Sequence, residues 1–388
     1  MKKFLALLLA LVMSLSLVAC GGGNDAADGE STDQEGGDTA ENAAYQVAMI
    51  TDYGDITDQS FNQTTYEACK EFCDAQGLQF EYYKPAGDST AERVAQVDAA
   101  VADGYNVIVM PGYAFAETIK QTAELYPDVT FIALDVAQGD LDPNGEGYTL
   151  PSNVYCAVYQ EELCGYMAGY AAVKLGYKHL GVLGGMAVPA VQRFGYGFVQ
   201  GADAAAVEMG IADQVVMEYV YGNQFYGDAD ITAYMDNWFA NLGVEVVFAS
   251  GGGIYTSAAE AAAKVGGKLI GVDVDQSANI DTYGEGMCVT SAMKGLAETV
   301  KHMLSEVLAG NFANYGGKIE TLGLVSGDDP TANYVQLPME TTQWGDGFTQ
   351  DDYKALVKAM FDGEVTVSND TSAMPETTIT VNFAGNIK

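Results

Sequence analysis

From residue 46 onward, short apolar runs alternate with longer stretches whose apolar residues recur at helical spacing. The runs at 47–50, 79–83, 106–110 and 130–134 are separated by helical patterns at about 65–76, 90–103 and 116–125. Strands that follow one another in the same direction need a crossover rather than a hairpin. The alternation therefore predicts a parallel sheet covered by helices on both faces. A fifth apolar alternation at 152–159 leads into a helix at 161–175, whose Gly165 and Gly169 predict close packing against a neighbour. The pattern then begins again, with strands at 179–183, 215–220, 244–249 and 268–272 and helices at 190–209, 231–241 and 255–265. Two such α/β halves with no linker between them predict two doubly wound parallel-sheet lobes that face a cleft and are joined by a hinge. The boundaries expected are 46–158 with 276–322 for the first lobe and 159–275 with 323–388 for the second. A strand at 287–292 and a helix at 294–308 are expected to return to the first lobe, and 322–337 to cross back. A last helix covers 351–361, and the Thr- and Val-rich tail 364–388 adds edge strands.

The densest polar stretch follows the first strand: Thr51 to Gln63, read as TDYGDITDQSFNQ. It falls at the carboxyl edge of the sheet, where open α/β sheets bind small ligands. Asp52, Asp55 and Asp58 offer acceptors, Ser60 and Asn62 offer polar contacts, and Phe61 offers a flat apolar face. That set suits a ligand with a hydroxylated part and a ring. It suits phosphate poorly, because three carboxylates repel a polyanion and neither a dinucleotide glycine fingerprint nor a GxxxxGK[ST] loop is present. Helix capping explains Ser60 and Asp58 equally well.

Lys2 and Lys3 precede an uncharged, largely apolar segment, 4–19, and then Leu17-Val18-Ala19-Cys20-Gly21. This has the parts of a secretory signal, residues 1–19, with Cys after Leu-x-Ala as a lipidation site. The apolar run is short of the roughly 20 residues a spanning helix needs. The mature chain is expected to begin at Cys20, anchored by lipid to the outer face of a cell membrane. Gly21 to Ala44 carries seven acidic residues and no basic ones, so 20–45 reads as a self-repelling, disordered tether. The formal net charge of −36 argues against nucleic acid and against adhesion to anionic lipid by charge.

His179 and His302 lie far apart in sequence, and no His, Cys or Asp cluster has metal-ligand spacing, so no metal or cofactor is expected. Cys69, Cys73, Cys156, Cys164 and Cys288 are odd in number and read as small buried residues. Oxidation of one pair stays open for an exported protein.

Six places give the chain a family likeness. They are Asp58-Gln59-Ser60-Phe61-Asn62-Gln63; Asn153-Val154 with Gly165-Tyr166-x-Ala-Gly169; and Gly184-Gly185-Met186 leading to Pro189, Arg193-Phe194 and Gly197-Phe198-x-x-Gly201. The others are Gly251-Gly252-Gly253; Ile270-Gly271-Val272-Asp273-Val274-Asp275-Gln276; and Ser291 with Lys294. In these the chain resembles the basic membrane lipoprotein family, which includes purine nucleoside receptors of ABC importers. The resemblance implies a type I periplasmic-binding-protein-like fold and capture of a nucleoside between the lobes, with a membrane permease as partner and a monomeric state. Phe61 would stack on the base and Asn62 would pair with its edge. Asp273 would accept from the ribose hydroxyls, and Lys294 would reach the sugar or hold Asp273 charged. Asp52 and Gly251 would line the same edge, and Asp135 ends the fourth strand there. The chain departs from the pattern around Phe225-Tyr226-Gly227-Asp228, where Phe225 is the candidate second stacking ring and Phe194 reads as core. It departs again at Gly112-Tyr113, where Tyr113 adds a hydroxyl that bears on base selectivity.

Two other classes compete. A sensing lipoprotein of the same fold would bind a solute without a permease. A nucleoside-processing enzyme would use paired carboxylates such as Asp273 and Asp275, but no Ser/His/Asp or Cys/His arrangement accompanies them. The reading taken is a binding protein and not an enzyme.

Overall fold

The computed structural model describes residues 45–387. The signal sequence, Cys20 and the acidic segment through Ala44 lie outside the described residues. The first apolar run forms β1 (Gln46–Ile50), and the polar turn leads to α1 (Phe61–Gln76). Asp58 supplies the cap: its carboxylate accepts the backbone N–H groups of Ser60 at 2.9 Å, Asn62 at 2.9 Å and Gln63 at 3.1 Å. Those donors would otherwise be orphans of the first turn. The chain continues through β2 (Gln79–Tyr83), α2 (Thr90–Ala102), β3 (Val107–Pro111), α3 (Ala116–Thr122), β4 (Thr130–Leu134), the single turn α4 (Gln138–Leu141) and β5 (Val154–Tyr159). Every residue of β3 is buried, as expected for a central strand covered on both faces.

The second half runs α5 (Glu161–Lys174), β6 (His179–Gly184), α6 (Pro189–Glu208), β7 (Val216–Tyr221), α7 (Ala229–Asn237), β8 (Val246–Ser250), α8 (Tyr255–Ala263), β9 (Lys268–Asp273), α9 (Ser277–Ile280) and β10 (Cys288–Lys294). Then follow α10 (Leu296–Leu308), β11 (Lys318–Leu322), β12 (Val335–Gln336), α11 (Gln350–Phe361) and β13 (Thr380–Asn386). One sheet has the order β11-β5-β4-β3-β1-β2 and the other β12-β10-β9-β8-β6-β7-β13, parallel except where β12 meets β10. These are the two parallel-sheet lobes the alternation predicts. The tail does add an edge strand, since β13 pairs with β7.

One boundary differs from expectation. The strand expected to return to the first lobe, β10, pairs with β9 in the second sheet, from Cys288 beside Leu269 to Met293 beside Asp273. Its segment is joined to β9 through only the one-turn α9, which returns the chain to the adjacent edge. The crossing comes after Lys294, so 276–294 lies with the second lobe, while β11 and the α10 packed on α1 lie with the first.

Three passes of chain therefore link the lobes, and they bond to one another. Gln160 N–H donates to Leu322 O at 2.9 Å, Gly295 N–H to Tyr334 O at 2.7 Å, and Tyr334 N–H to Gly323 O at 3.0 Å. Beside this hinge, α5 and α6 pack backbone to backbone. A Cβ added at Gly165 or Gly169 would stand 2.2 or 2.1 Å from the carbonyl oxygens of Phe194 and Phe198. In return, a Cβ at Gly197 or Gly201 would stand 2.2 or 2.0 Å from those of Glu162 and Tyr166. Only glycine permits this approach, and it brings the first residue of α5, Glu161, against Arg193 of α6. The five described cysteines are buried and unpaired. No described helix is long and apolar enough to cross a membrane.

Candidate functional site

The carboxyl edges of both sheets face one cavity of about 400 Å³. Nine of the ten residues expected to contact a ligand line it: Asp52, Phe61, Asn62, Tyr113, Asp135, Phe225, Gly251, Asp273 and Lys294. Ser60 does not. It is fully buried and donates its hydroxyl to Asp273 Oδ2 at 2.5 Å.

The centre of the site is Lys294, at the end of β10. Its Nζ donates to Asp135 Oδ2 at 2.6 Å and lies 3.6 Å from both Asp273 Oδ1 and Glu161 Oε1. Burial works against its charge, but Asp135, Asp273 and Glu161 outweigh that and hold it above the ordinary lysine range. Glu161, wholly buried, also accepts from Arg193 Nε at 2.6 Å. Burial raises the Glu161 and Asp273 carboxyls, and the adjacent cations oppose the rise. The same Nζ stands 4.7 Å from the Phe61 ring centroid, a cation–π distance that fixes the ring at the head of α1.

Asp135 and Asp273 occupy corresponding positions. Asp135 directly follows β4 and Asp273 is the last residue of β9, and each has a left-handed backbone, φ 59° and 67°. Asp tolerates this region better than most side chains. The flanking sequences repeat: Ile132-Ala133-Leu134-Asp135-Val136-Ala137-Gln138 against Ile270-Gly271-Val272-Asp273-Val274-Asp275-Gln276. That repeat is the signal in the sequence that pairs the two carboxylates.

Three buried polar atoms on the cavity wall have no hydrogen-bond partner among the described residues: Asn62 Oδ1, Asp135 Oδ1 and Ser250 Oγ. Leaving such a group unmade costs about 1–3 kcal/mol. Asn62 and Asp135 thus present acceptors to whatever enters. Asp52 is differently placed. Its Oδ1 accepts the N–H groups of Tyr53 at 2.6 Å and Gly54 at 2.7 Å, and burial raises its carboxyl in spite of them. Beyond it, Tyr53 and Tyr113 direct their hydroxyls at one sulfur, Met186 Sδ, at 3.4 and 3.8 Å.

Phe225 is seated by glycines: a Cβ at Gly185 would lie 2.5 Å, and one at Gly251 3.3 Å, from its Cδ1. The room Gly251 leaves is therefore taken up by Gly185 and this ring. Phe194 is buried and packs edge-on against Phe248, as core, with part of its surface on the cavity. Arg193, Tyr53, Asp140 and Ser250 also line the cavity and were not singled out as contacts from sequence. Carboxylates outnumber cations around it, so hydroxyl and amine donors are favoured and anions are not. Among the described residues, no group of three or more His, Cys, Asp or Glu side chains is placed to hold a metal.

The sequence profile of the Bmp family, described as ABC transporter substrate-binding protein PnrA-like, matches residues 45–328. The chain is 26% identical over 340 residues to the CD4+ T-cell-stimulating antigen of Listeria innocua, spanning 82% of this chain and 87% of that protein. It is 25% identical over 343 residues to the ABC transporter nucleoside-binding protein BmpA of Lactococcus lactis, spanning 83% and 88%. In fold it is similar to an ABC transporter solute-binding protein from Aeropyrum pernix K1, with TM-score 0.63 and 23% identity over 84% of this chain and 88% of that one.

Proposed function

The chain belongs to the Bmp family of PnrA-like ABC transporter substrate-binding proteins, and on that premise we propose that it captures a nucleoside, a purine nucleoside first, as the lipid-anchored, extracytoplasmic receptor of an importer. Family and fold are those of substrate-binding proteins that serve a membrane permease, not of enzymes. The observation that carries the nucleoside reading is the division of the cavity wall. Phe61 and Phe225 offer aromatic faces, while Asp135 and Asp273, held by one lysine, offer acceptors beside them. A flat ring with a vicinal diol satisfies both parts, and each stacked base is worth about 1–3 kcal/mol. Asn62 Oδ1 accepts from the base edge, and Asp135 Oδ1 takes a hydroxyl proton that water would otherwise supply. A phosphorylated ligand meets the excess of carboxylate and is rejected.

Capture follows from the lobes. The first contributes Asp52, Phe61, Asn62 and Asp135, and the second contributes Phe225, Ser250, Gly251 and Asp273. Closure about the three linking passes brings the two sets together and excludes water, and the closed form is the one a permease distinguishes. The lipid anchor at Cys20 rests on the Leu-x-Ala-Cys pattern that closes the signal sequence and on the lipoprotein names among relatives, such as that of Pyrococcus horikoshii.

Thermal unfolding against nucleosides, 2′-deoxynucleosides, free bases and sugars tests the reading. A ligand that binds only the folded chain adds about 2.7 kcal/mol at a hundred times its Kd. Stabilisation by purine nucleosides, weaker for the deoxy forms and lost in Asp273→Ala, is the expected result. No stabilisation by any nucleoside would overturn it.

A further inference from the structure

Ser60 and Gln276 touch the opposite lobe and not the cavity. Ser60, in the β1–α1 turn of the first lobe, donates its hydroxyl to Asp273 Oδ2 of the second at 2.5 Å. One residue earlier, the carbonyl of Gln59 accepts from Gln276 Nε2 at 3.1 Å. Gln276 is fully buried, and its remaining groups are engaged within its own lobe. Its Oε1 accepts from Val272 N–H at 2.9 Å, and its own N–H donates to Ser291 Oγ at 3.1 Å. Gly271 leaves the space for this, since a Cβ there would stand 2.9 Å from Gln276 Oε1 and 2.7 Å from Ser291 Oγ.

The facing pair is equally set. Gln59 has a left-handed backbone, φ 57°, and its N–H donates to Gln63 Oε1 at 3.1 Å. A glutamine in that region carries strain that its surroundings must over-determine. The capping of α1 by Asp58 fixes the turn on one side, and Gln276 meets the Gln59 carbonyl on the other.

We propose that Gln59 and Ser60 on the first lobe and Asp273 and Gln276 on the second form a latch that holds the lobes closed, with Ser60 and Gln276 as positioning residues. Both bonds join protein to protein and break when the lobes part, so they bias the open–closed equilibrium by an amount no solute supplies. Ser60 also orients the carboxylate of Asp273, whose other oxygen faces Lys294 in the cavity. Solute affinity then follows the fraction of molecules in the closed arrangement. The latch does not rest on which solute the cavity takes.

The test reads the lobes directly. Donor and acceptor dyes are placed through unnatural amino acids at exposed Leu125 of the first lobe and Leu242 of the second, and single-molecule energy transfer reports the closed-to-open ratio of the full chain without added solute. Ser60→Ala removes one bond. Gln276→Glu keeps the acceptor for Val272 N–H but sets an oxygen against Gln59 O. Each is expected to lower the ratio roughly two- to tenfold, the range of a single net hydrogen bond. Ser60→Thr, which keeps the hydroxyl, is expected to restore it. An unchanged ratio in either folded variant would overturn the latch. Should Gln276→Glu fail to fold, Ser60→Ala against Ser60→Thr decides the matter. Failure of the nucleoside panel leaves this result untouched, so the two readings fail separately.

Discussion

Asp135 and Asp273 end equivalent strands of the two sheets, share a left-handed backbone, and place their carboxylates 2.6 and 3.6 Å from the same ammonium, Lys294 Nζ. A ligand group held by both is held by both lobes. One cation therefore organises the acceptors on either side of the cleft, with Glu161 beneath it completing the cluster.

Removing that cation leaves buried carboxylates uncompensated. Lys294→Met keeps the aliphatic volume but deletes the charge, and breaking a buried ion pair in this way costs about 3–5 kcal/mol. Urea unfolding at neutral pH is expected to register that loss, with partial recovery as the pH falls, because the Asp273 carboxyl, already raised by burial, takes up a proton more readily than a free one. Stability close to that of the native chain would mean water reaches the cluster.

Glu162 supplies a pH dependence of known sign. Burial pushes its carboxyl up to about 7, Glu161 adds to the rise, and Oε2 has no hydrogen-bond partner among the described residues. The folded chain holds a proton here that the unfolded chain releases near the ordinary glutamate value. Stability attributable to this group is therefore intact at low pH and falls as pH rises from about 4.5 to 7. Glu162→Gln removes the penalty. Its stability relative to the native chain should be higher at pH 8 than at pH 5, by about 3 kcal/mol at most, in paired urea titrations.

The α5–α6 crossing makes a steric prediction. Gly169→Ala gains about 1 kcal/mol of helix propensity, yet its Cβ would stand 2.1 Å from the Phe198 carbonyl oxygen, backbone that cannot step aside alone. Overpacking of about 1–3 kcal/mol prevails. A lowered unfolding midpoint is expected, together with weaker solute binding, because the same crossing sets Glu161 against Arg193.

Several of these features were legible in the sequence, for identifiable reasons. Phe61 and Asn62 sit where the first strand gives way to a polar turn, so the alternation points to the cavity edge, whereas Asp273 is reached through the family motif around it. Ser60 sits in the same turn, and nothing local distinguishes a hydroxyl that faces solute from one that faces the other lobe. Glu161 was hidden because acidic residues at a helix start are explained by the helix dipole. Its function depends on Arg193 and Lys294, 32 and 133 residues later, which only the fold brings together. The placement of β10 failed for a related reason: an apolar strand of that length suits either sheet, and the one-turn α9 that decides it carries little signal.

The sequence around Phe225 departs from the family pattern, and the structure seats the ring through neighbours with no side chain. Gly185 and Gly251 press their backbones to the ring, and a Cβ at Gly185 would overlap its edge at 2.5 Å. Phe225→Ala removes the aromatic face, while Gly185→Ala leaves the face intact but turns it from its place. If the ring stacks on the solute, both lose binding by a similar factor, roughly 5- to 150-fold for one stacked base. Both should stay folded, because Phe225 is only half-buried. Isothermal titration with the strongest solute from the thermal panel distinguishes the cases. Loss in Phe225→Ala with native affinity in Gly185→Ala would mean the ring serves as bulk that closes the cavity, since stacking demands orientation and space-filling does not.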